Sequence, residues 1–297
     1  MYRILLVIAA SLAVVHLASA TSPLDSLRLK IERAVEPAQG RVGVAVVAMD
    51  DSAMVTIDGH GHYPMQSVYK FPVALAVLSR VDSGILSLDQ KLHLTGADLR
   101  PNTWSPLREK YPGDSASVWL DEVLKYTVSL SDNNGCDILF RLVGGPAVVD
   151  RYIHALGVSD IAIVATEQEM QSDRTVPARN WSTPAAMAQL LYLFGRGDVL
   201  SEASTEYLWQ LMVGTRTGPH RLKGQLPDDA LVAHKTGSSG TDASGMTPAT
   251  NDVGIMQLPD GRRVGIVVYV ADSSADEATR DAVIATIARI VWDAGGL

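Results

Sequence analysis

The stretch Asp252 to Val270, DVGIMQLPDGRRVGIVVYV, sets the architecture of the chain. Its two β-rich runs, Asp252–Leu258 and Val264–Val270, are joined by Pro259-Asp260-Gly261, a turn sequence because proline presets φ and glycine accepts positive φ. They read as adjacent strands, and Leu231 to Thr236 upstream reads as a third. At the other end of the chain Arg41 to Met49, RVGVAVVAM, is equally β-rich, and Val55 to Ile57 stops at Asp58-Gly59, which suggests a hairpin. Between these groups, from Ser67 to Met212, the pattern is largely helical. The helical signals are Ser67–Val81 with Gly84 beyond, Val118–Leu130, and Pro146–Leu156 closed by Gly157. Thr183 as a cap with Pro184 at the first helical position opens another helix, and Ser201 opens one more. Leu24, Leu27, Ile31, Ala34 and Val35 recur at helical spacing before Pro37 and Gly40, and Ala275–Val291 forms a final amphipathic helix. Strands at both ends around a helical insertion predict one sheet built from both termini, covered by the terminal helices, with a site in the crevice between lobes.

The 297 residues, 47% hydrophobic and 20% charged, suffice for one large domain or two closely packed ones. With 25 Lys and Arg against 33 Asp and Glu the net charge is −8, which argues against nucleic acid as a partner, since that requires a basic stripe. Cys136 is the single cysteine, so an intramolecular disulfide is impossible and cysteine-based zinc or iron–sulfur cages are excluded. Met1-Tyr2-Arg3, the apolar run Ile4–Leu17 and Ala18-Ser19-Ala20 form a cleavable export signal, residues 1–20. The apolar run is shorter than the about 20 residues that span a bilayer, so no membrane contact is expected after cleavage.

Three short motifs follow one another: Ser67-Val68-Tyr69-Lys70 at a helix start, Ser131-Asp132-Asn133 between helices, and Lys235-Thr236-Gly237 at the end of a strand. Residues three apart share a helical face, so Lys70 can reach the Ser67 hydroxyl. A helix start also offers free backbone N–H groups to a developing oxyanion. Singly, the motifs read more readily as a capping serine with a solvated lysine, a polar turn, and an edge-strand lysine.

Together, in this order, the motifs resemble those of the class A serine β-lactamases, and the resemblance covers nearly the whole chain. It implies an α+β fold, an α/β sandwich with an antiparallel five-stranded sheet in residues 21–65 and 213–297 and an inserted all-α lobe in residues 66–212. It also implies acylation of Ser67 by a β-lactam, with an oxyanion hole made by the backbone N–H groups of Ser67 and Ser238. Lys70 would move the Ser67 proton, Ser131 would protonate the lactam nitrogen, and Asn133 would bind the substrate's side-chain amide. Lys235, Thr236, Gly237 and Ser238 would line the substrate on the strand side. No cofactor or metal is implied, and the partners are small-molecule β-lactams acting on a periplasmic or secreted bacterial monomer.

The segment Ala165-Thr166-Glu167-Gln168-Glu169-Met170-Gln171 resembles the family's Ω-loop, with Glu167 as general base for the deacylating water and Glu169 a bystander. Gln168 stands where proline is usual, Gln171 where an asparagine helps hold the water, and Ala165 and Asn180 where an arginine and an aspartate pair across the loop's neck. Losing both ends of that pair leaves no unpaired buried charge. These departures, with Met65-Gln66, Asn102-Thr103-Trp104-Ser105-Pro106 and Thr217–Gly224, resemble the PER/VEB-type extended-spectrum subgroup. By that analogy Arg221 supplies a guanidinium for the substrate carboxylate. Trp104 is a candidate wall at the site mouth. His60-Gly61-His62 reads as a polar hairpin tip rather than half a zinc site. The alternatives that share the three motifs are a D,D-peptidase (penicillin-binding protein) and a β-lactam sensor that acylates without turnover.

Overall fold

The computed structural model describes residues 22–173 and 175–297; the expected signal sequence, Met1 to Ala20, lies outside the described residues. Helix α1, Pro23–Ala34, starts at Ser22, whose side chain accepts the Asp25 N–H. Strands β1 (Arg41–Ala48) and β2 (Met54–Ile57) follow, then β3 (Tyr63–Pro64), a 3-10 turn over Gln66–Tyr69, and α2 (Lys70–Asp82). The insertion continues through β4 (Lys91–Thr95), α3 (Pro106–Lys110), β5 (Ser115–Trp119), α4 (Leu120–Ser129), α5 (Asn133–Val143), α6 (Pro146–Ala155), β6 (Ile161–Ala162), α7 (Glu167–Ser172), β7 (Trp181–Ser182), α8 (Pro184–Gly195) and α9 (Glu202–Val213). The chain closes with β8 (Val232–Ser238), β9 (Thr247–Gln257), β10 (Arg263–Ser273) and α10 (Glu277–Asp293).

One five-stranded sheet, in the order β2-β1-β10-β9-β8, takes strands from both chain ends. Every neighbouring pair in it is antiparallel. Alternation along β1 separates two cores. Val42, Val44 and Val46 pack with Ile266, Val268 and Val270 against Leu27 and Ile31 of α1 and Ile284 and Ile287 of α10. Ala45 and Val47 face the other way, with Val267 and Tyr269, onto Leu190, Leu191 and Phe194 of α8 and the helices beyond. The sheet is thus sandwiched between the terminal helices and the insertion, which leaves β8 as a free edge facing the helical lobe.

Three local expectations differ from the structure. Val118 and Trp119 end β5, which pairs with β4, so the helix predicted from Val118 begins at Leu120. The β1–β2 hairpin turns before β2, where the Ala48 N–H donates to the Ala53 carbonyl (2.9 Å). Asp58–His62 is therefore no hairpin tip: it leads out of the sheet to β3, which pairs with β7, and His62 stacks on Trp181 with ring centroids 3.6 Å apart. The inserted lobe also carries these short strands beside its helices.

Ile266 is fully buried between β1 and the terminal helices. Ile266→Ala should lower the unfolding free energy by about 2–5 kcal/mol in denaturant titration, through lost transfer energy and a cavity. A loss below about 0.5 kcal/mol would mean that this layer is not the packed core described here.

Candidate active site

Ser67 is positioned from three directions. Asn251 of β9 donates from Nδ2 to the Pro64 carbonyl (2.7 Å) and the Met65 carbonyl (3.1 Å). The Met65 N–H donates to the Asn180 carbonyl (2.9 Å). Gln66 then takes a left-handed conformation, φ 47°, and turns the chain into the 3-10 turn that carries Ser67. As an early residue of that turn, Ser67 has a backbone N–H without an acceptor inside it.

Lys70, fully buried at the start of α2, holds the cluster together. Its Nζ lies 3.0 Å from Ser67 Oγ, 2.8 Å from the Ser131 carbonyl and 2.6 Å from Asn133 Oδ1. Glu167 Oε1 is 2.9 Å away on the remaining side, an ion-pair contact rather than a directed hydrogen bond. An ammonium has three N–H bonds and here meets four oxygens.

Lys235 approaches from the sheet edge. It is fully buried, and its Nζ donates to Ser131 Oγ (2.9 Å) and to the Thr236 carbonyl (3.0 Å). Burial, and then the like charge of Lys70, hold its ammonium well below the usual lysine range. Ser131 has φ 59° and meets Lys70 through its carbonyl and Lys235 through its hydroxyl.

Gly237 allows β8 to pass close to Ser67: a Cβ there would stand 2.3 Å from the Met65 carbonyl oxygen and 3.2 Å from the Ser67 nitrogen. The Ser239 N–H pairs with the Ala249 carbonyl (2.9 Å), so strand alternation turns the Ser238 N–H away from β9 and over the free edge. The Ser238 N–H, turned away from β9, and the Ser67 N–H, without an acceptor inside its turn, are the candidate donors of an oxyanion hole.

Glu167 opens α7, where Thr166 caps and Glu169 completes a capping box, its carboxylate accepting from the Thr166 N–H (2.8 Å). Glu169 is thus a structural residue of the loop. Asp137 of α5 accepts the backbone N–H of Glu167 (2.8 Å) and of Gln168 (3.0 Å) and pairs with Arg100. The neck is closed by a neutral amide: Asn180 Oδ1 accepts from the Val164 and Ala165 N–H groups (2.8 and 3.0 Å), and Nδ2 donates to the Ala165 carbonyl (2.8 Å). The sequence reading missed Asp137 and Asn251.

Arg221 is placed differently from the expectation. Only 5% exposed, it donates from Nε to Asp281 (2.8 Å), from one terminal nitrogen to the carbonyls of Gly237 (3.2 Å) and Asn251 (3.0 Å), and from the other to Ser238 Oγ (2.9 Å). Four of its five N–H bonds are committed inside the protein and its charge faces Asp281, so it acts on the site by orienting Ser238. Thr236 Oγ1 is hydrogen-bonded to Thr217 Oγ1. Trp104 donates its indole N–H to the Leu130 carbonyl (2.8 Å), beside Ser131, and leaves its ring 57% exposed at the mouth. Gln171 hydrogen-bonds to Thr103 rather than to Lys70 or Glu167. Asp132, the cap of α5, is buried among the Ser105 hydroxyl and the N–H groups of Leu107 and Gly135. Cys136 is fully buried, and that burial pushes its thiol well above the usual range, away from the reactive thiolate.

Burial, with the adjacent Glu167 carboxylate adding to it, raises Asp137 from 3.8 to about 6. A carboxyl pKa raised on folding stabilises the folded form below the unfolded value and loses that contribution as pH rises through the folded value. Between pH 7 and pH 4 the stability of the wild type relative to Asp137→Asn should therefore rise by on the order of 2–3 kcal/mol. Denaturant titrations at a series of pH values measure it; a difference independent of pH would contradict the assignment.

The model of the "Beta-lactamase enzyme family" matches residues 26–294. The extended-spectrum β-lactamase PER-1 of Pseudomonas aeruginosa is 45% identical over 92% of this chain and 88% of its own length. β-Lactamase VEB-1 of the same organism is 44% identical over 91% of this chain and 90% of its own. The crystal structure of the TLA-1 extended-spectrum β-lactamase superposes with a TM-score of 0.90 at 49% identity, covering 92% of this chain and 99% of that one. The chain belongs to the β-lactamase enzyme family, on the class A branch.

Proposed function

We propose that the protein hydrolyses the β-lactam ring of penicillins and cephalosporins, oxyimino-cephalosporins included, through an acyl-enzyme on Ser67 that a Glu167-activated water removes. The observation that carries the reading is the position of Lys70 Nζ, 3.0 Å from Ser67 Oγ and 2.9 Å from Glu167 Oε1. One amine thus joins the candidate nucleophile to the candidate base.

In the first half-reaction Lys70 passes a proton to Glu167 Oε1, 2.9 Å away, and the neutral amine takes the Ser67 proton as Oγ bonds to the lactam carbonyl carbon. The oxyanion is received by the N–H groups of Ser67 and Ser238. When the ring C–N bond breaks, the nitrogen takes the Ser131 hydroxyl proton, which Lys70 restores. Lys235, 2.9 Å from Ser131 Oγ, eases the loss of that proton. In the second half-reaction Glu167, its proton returned to Lys70, takes a proton from water, the hydroxide adds to the ester carbonyl, and Ser67 Oγ leaves and takes its proton from Lys70.

Thr236 and Ser238 offer hydroxyls to the substrate carboxylate, with Lys235 supplying charge behind them and Arg221 holding Ser238. Asn133 spends one Nδ2 hydrogen on Thr103 (2.9 Å) and has the other for the carbonyl of the substrate's side-chain amide. The extended-spectrum reading rests on PER-1 and TLA-1, whose names describe that activity. Export, which would place the enzyme where the antibiotic enters, rests on the N-terminal residues 1–20. Among the described residues no helix is long and apolar enough to cross a membrane.

Mass spectrometry after mixing with a penicillin tests the reading. Ser67→Ala should show no adduct. Glu167→Ala should accumulate an adduct heavier by one whole antibiotic molecule, with deacylation slowed by at least about 10²-fold, the scale of a lost general base. Turnover by Glu167→Ala at the wild-type rate would refute the role of Glu167. In the wild type, sustained turnover of a chromogenic cephalosporin is expected, whereas a stoichiometric burst alone would indicate a D,D-peptidase or a sensor.

A further inference from the structure

Gln171 stands one helical turn after Glu167 on α7, so the two side chains share one face of that turn. Glu167 reaches inward to Lys70, and Gln171 reaches across the mouth of the cleft to Thr103. Thr103 Oγ1 accepts both the Gln171 side-chain amide and Asn133 Nδ2 (2.9 Å), while Asn133 Oδ1 accepts from Lys70 (2.6 Å). A continuous hydrogen-bonded chain, Lys70–Asn133–Thr103–Gln171, therefore runs from the buried amine to the outer rim.

The two ends of this chain are held very unequally. The segment around Thr103 is fastened to α5 and its cap: Arg100 pairs with Asp137, the Arg100 carbonyl accepts from Asn134 Nδ2 (3.0 Å), and the Trp104 carbonyl accepts the Asn133 N–H (3.0 Å). Ser105 Oγ bonds to both oxygens of Asp132 (3.0 Å each). Gln171, by contrast, is exposed and crosses the mouth by a single neutral hydrogen bond. An exposed neutral bond is the cheapest link of such a chain to open, because water replaces it.

Resting on the function proposed above, we propose that the Gln171–Thr103 hydrogen bond is a side-chain gate that sets how large an acyl side chain the enzyme accepts. A small side chain passes beneath the closed bond to Asn133. A bulky one must displace the Gln171 amide from Thr103. Opening leaves the fixed side of the mouth, and the Asp137 hold on the Glu167 backbone, in place. The gate thus acts on which substrate enters, while Glu167 keeps its contact with Lys70.

Two cephalosporins on one nucleus test it: cephalothin, with a thienylacetyl side chain, and cefotaxime, with a branched oxyimino side chain. Wild-type turnover of cephalothin, measured first, tests the function itself; the gate is tested by the ratio of kcat/KM for cefotaxime to that for cephalothin. Gln171→Ala should raise this ratio at least about fivefold, mainly through KM. Thr103→Val, which keeps the shape and removes the hydroxyl, should raise it similarly, and Thr103→Ser should restore the wild-type ratio. The double variant Gln171→Ala/Thr103→Val should rise no further than Thr103→Val alone, since that substitution already breaks the Gln171 bond along with the one from Asn133. An unchanged ratio in both single variants, independent multiplying effects, or an equal fall in kcat on both substrates would overturn the proposal.

Discussion

A buried lysine amine with four oxygen neighbours is the constraint on which this site depends. Lys70 has no exposed surface, and an uncompensated ammonium there would be costly, so its partners are fixed as firmly as it is. They come from four places in the chain: Ser67 from the turn before α2, the Ser131 carbonyl from the loop after α4, Asn133 from the start of α5, and Glu167 from α7. Each satisfies part of one charge. The same convergence sets a hydroxyl, a carboxylate and an amide around a single volume, so folding stability and the candidate chemistry draw on the same contacts.

The sheet supplies the opposite wall through topology. Because β8 ends the order β2-β1-β10-β9-β8, one of its sides has no strand partner and can present Lys235 and the Ser238 N–H to the helical lobe. Gly237 brings that edge to within contact of the Met65–Ser67 backbone. From behind, the Arg221–Asp281 pair ties Ser238 and the β8–β9 carbonyls to α10. On the remaining side, Asn180 and Asp137 hold the Glu167 segment with hydrogen bonds to backbone groups, and the amide of Asn180 closes the neck without a charge pair.

Much of this was legible in the sequence. The β-branched runs and Pro259-Asp260-Gly261 located the central strands, and Thr183-Pro184 and Ser201 marked helix starts because capping chemistry is local. Lys91–Thr95, KLHLT, alternates buried and exposed residues and carried a strand signal that the helical surroundings masked. Thr166-x-x-Glu169 carried a capping box, yet in a polar loop Glu169 looked like solvated charge. Asp137 and Asn251 were not legible: a lone carboxylate in a helix and a lone amide in a strand acquire partners only when distant segments meet. Arg221 shows the same limit from the other side. Its residue type suggests an anion receptor, but burial against Asp281, which no local pattern encodes, determines what its guanidinium faces.

The central claim is that one amine serves both halves of the reaction. Stopped-flow single-turnover kinetics on Lys70→Ala with a chromogenic cephalosporin resolve acylation from deacylation and test it most directly. The account predicts that both steps slow by at least about 10²-fold, since Ser67 and Glu167 lose their common partner. If either step kept the wild-type rate, Lys70 would serve one half-reaction alone and the account would be contradicted.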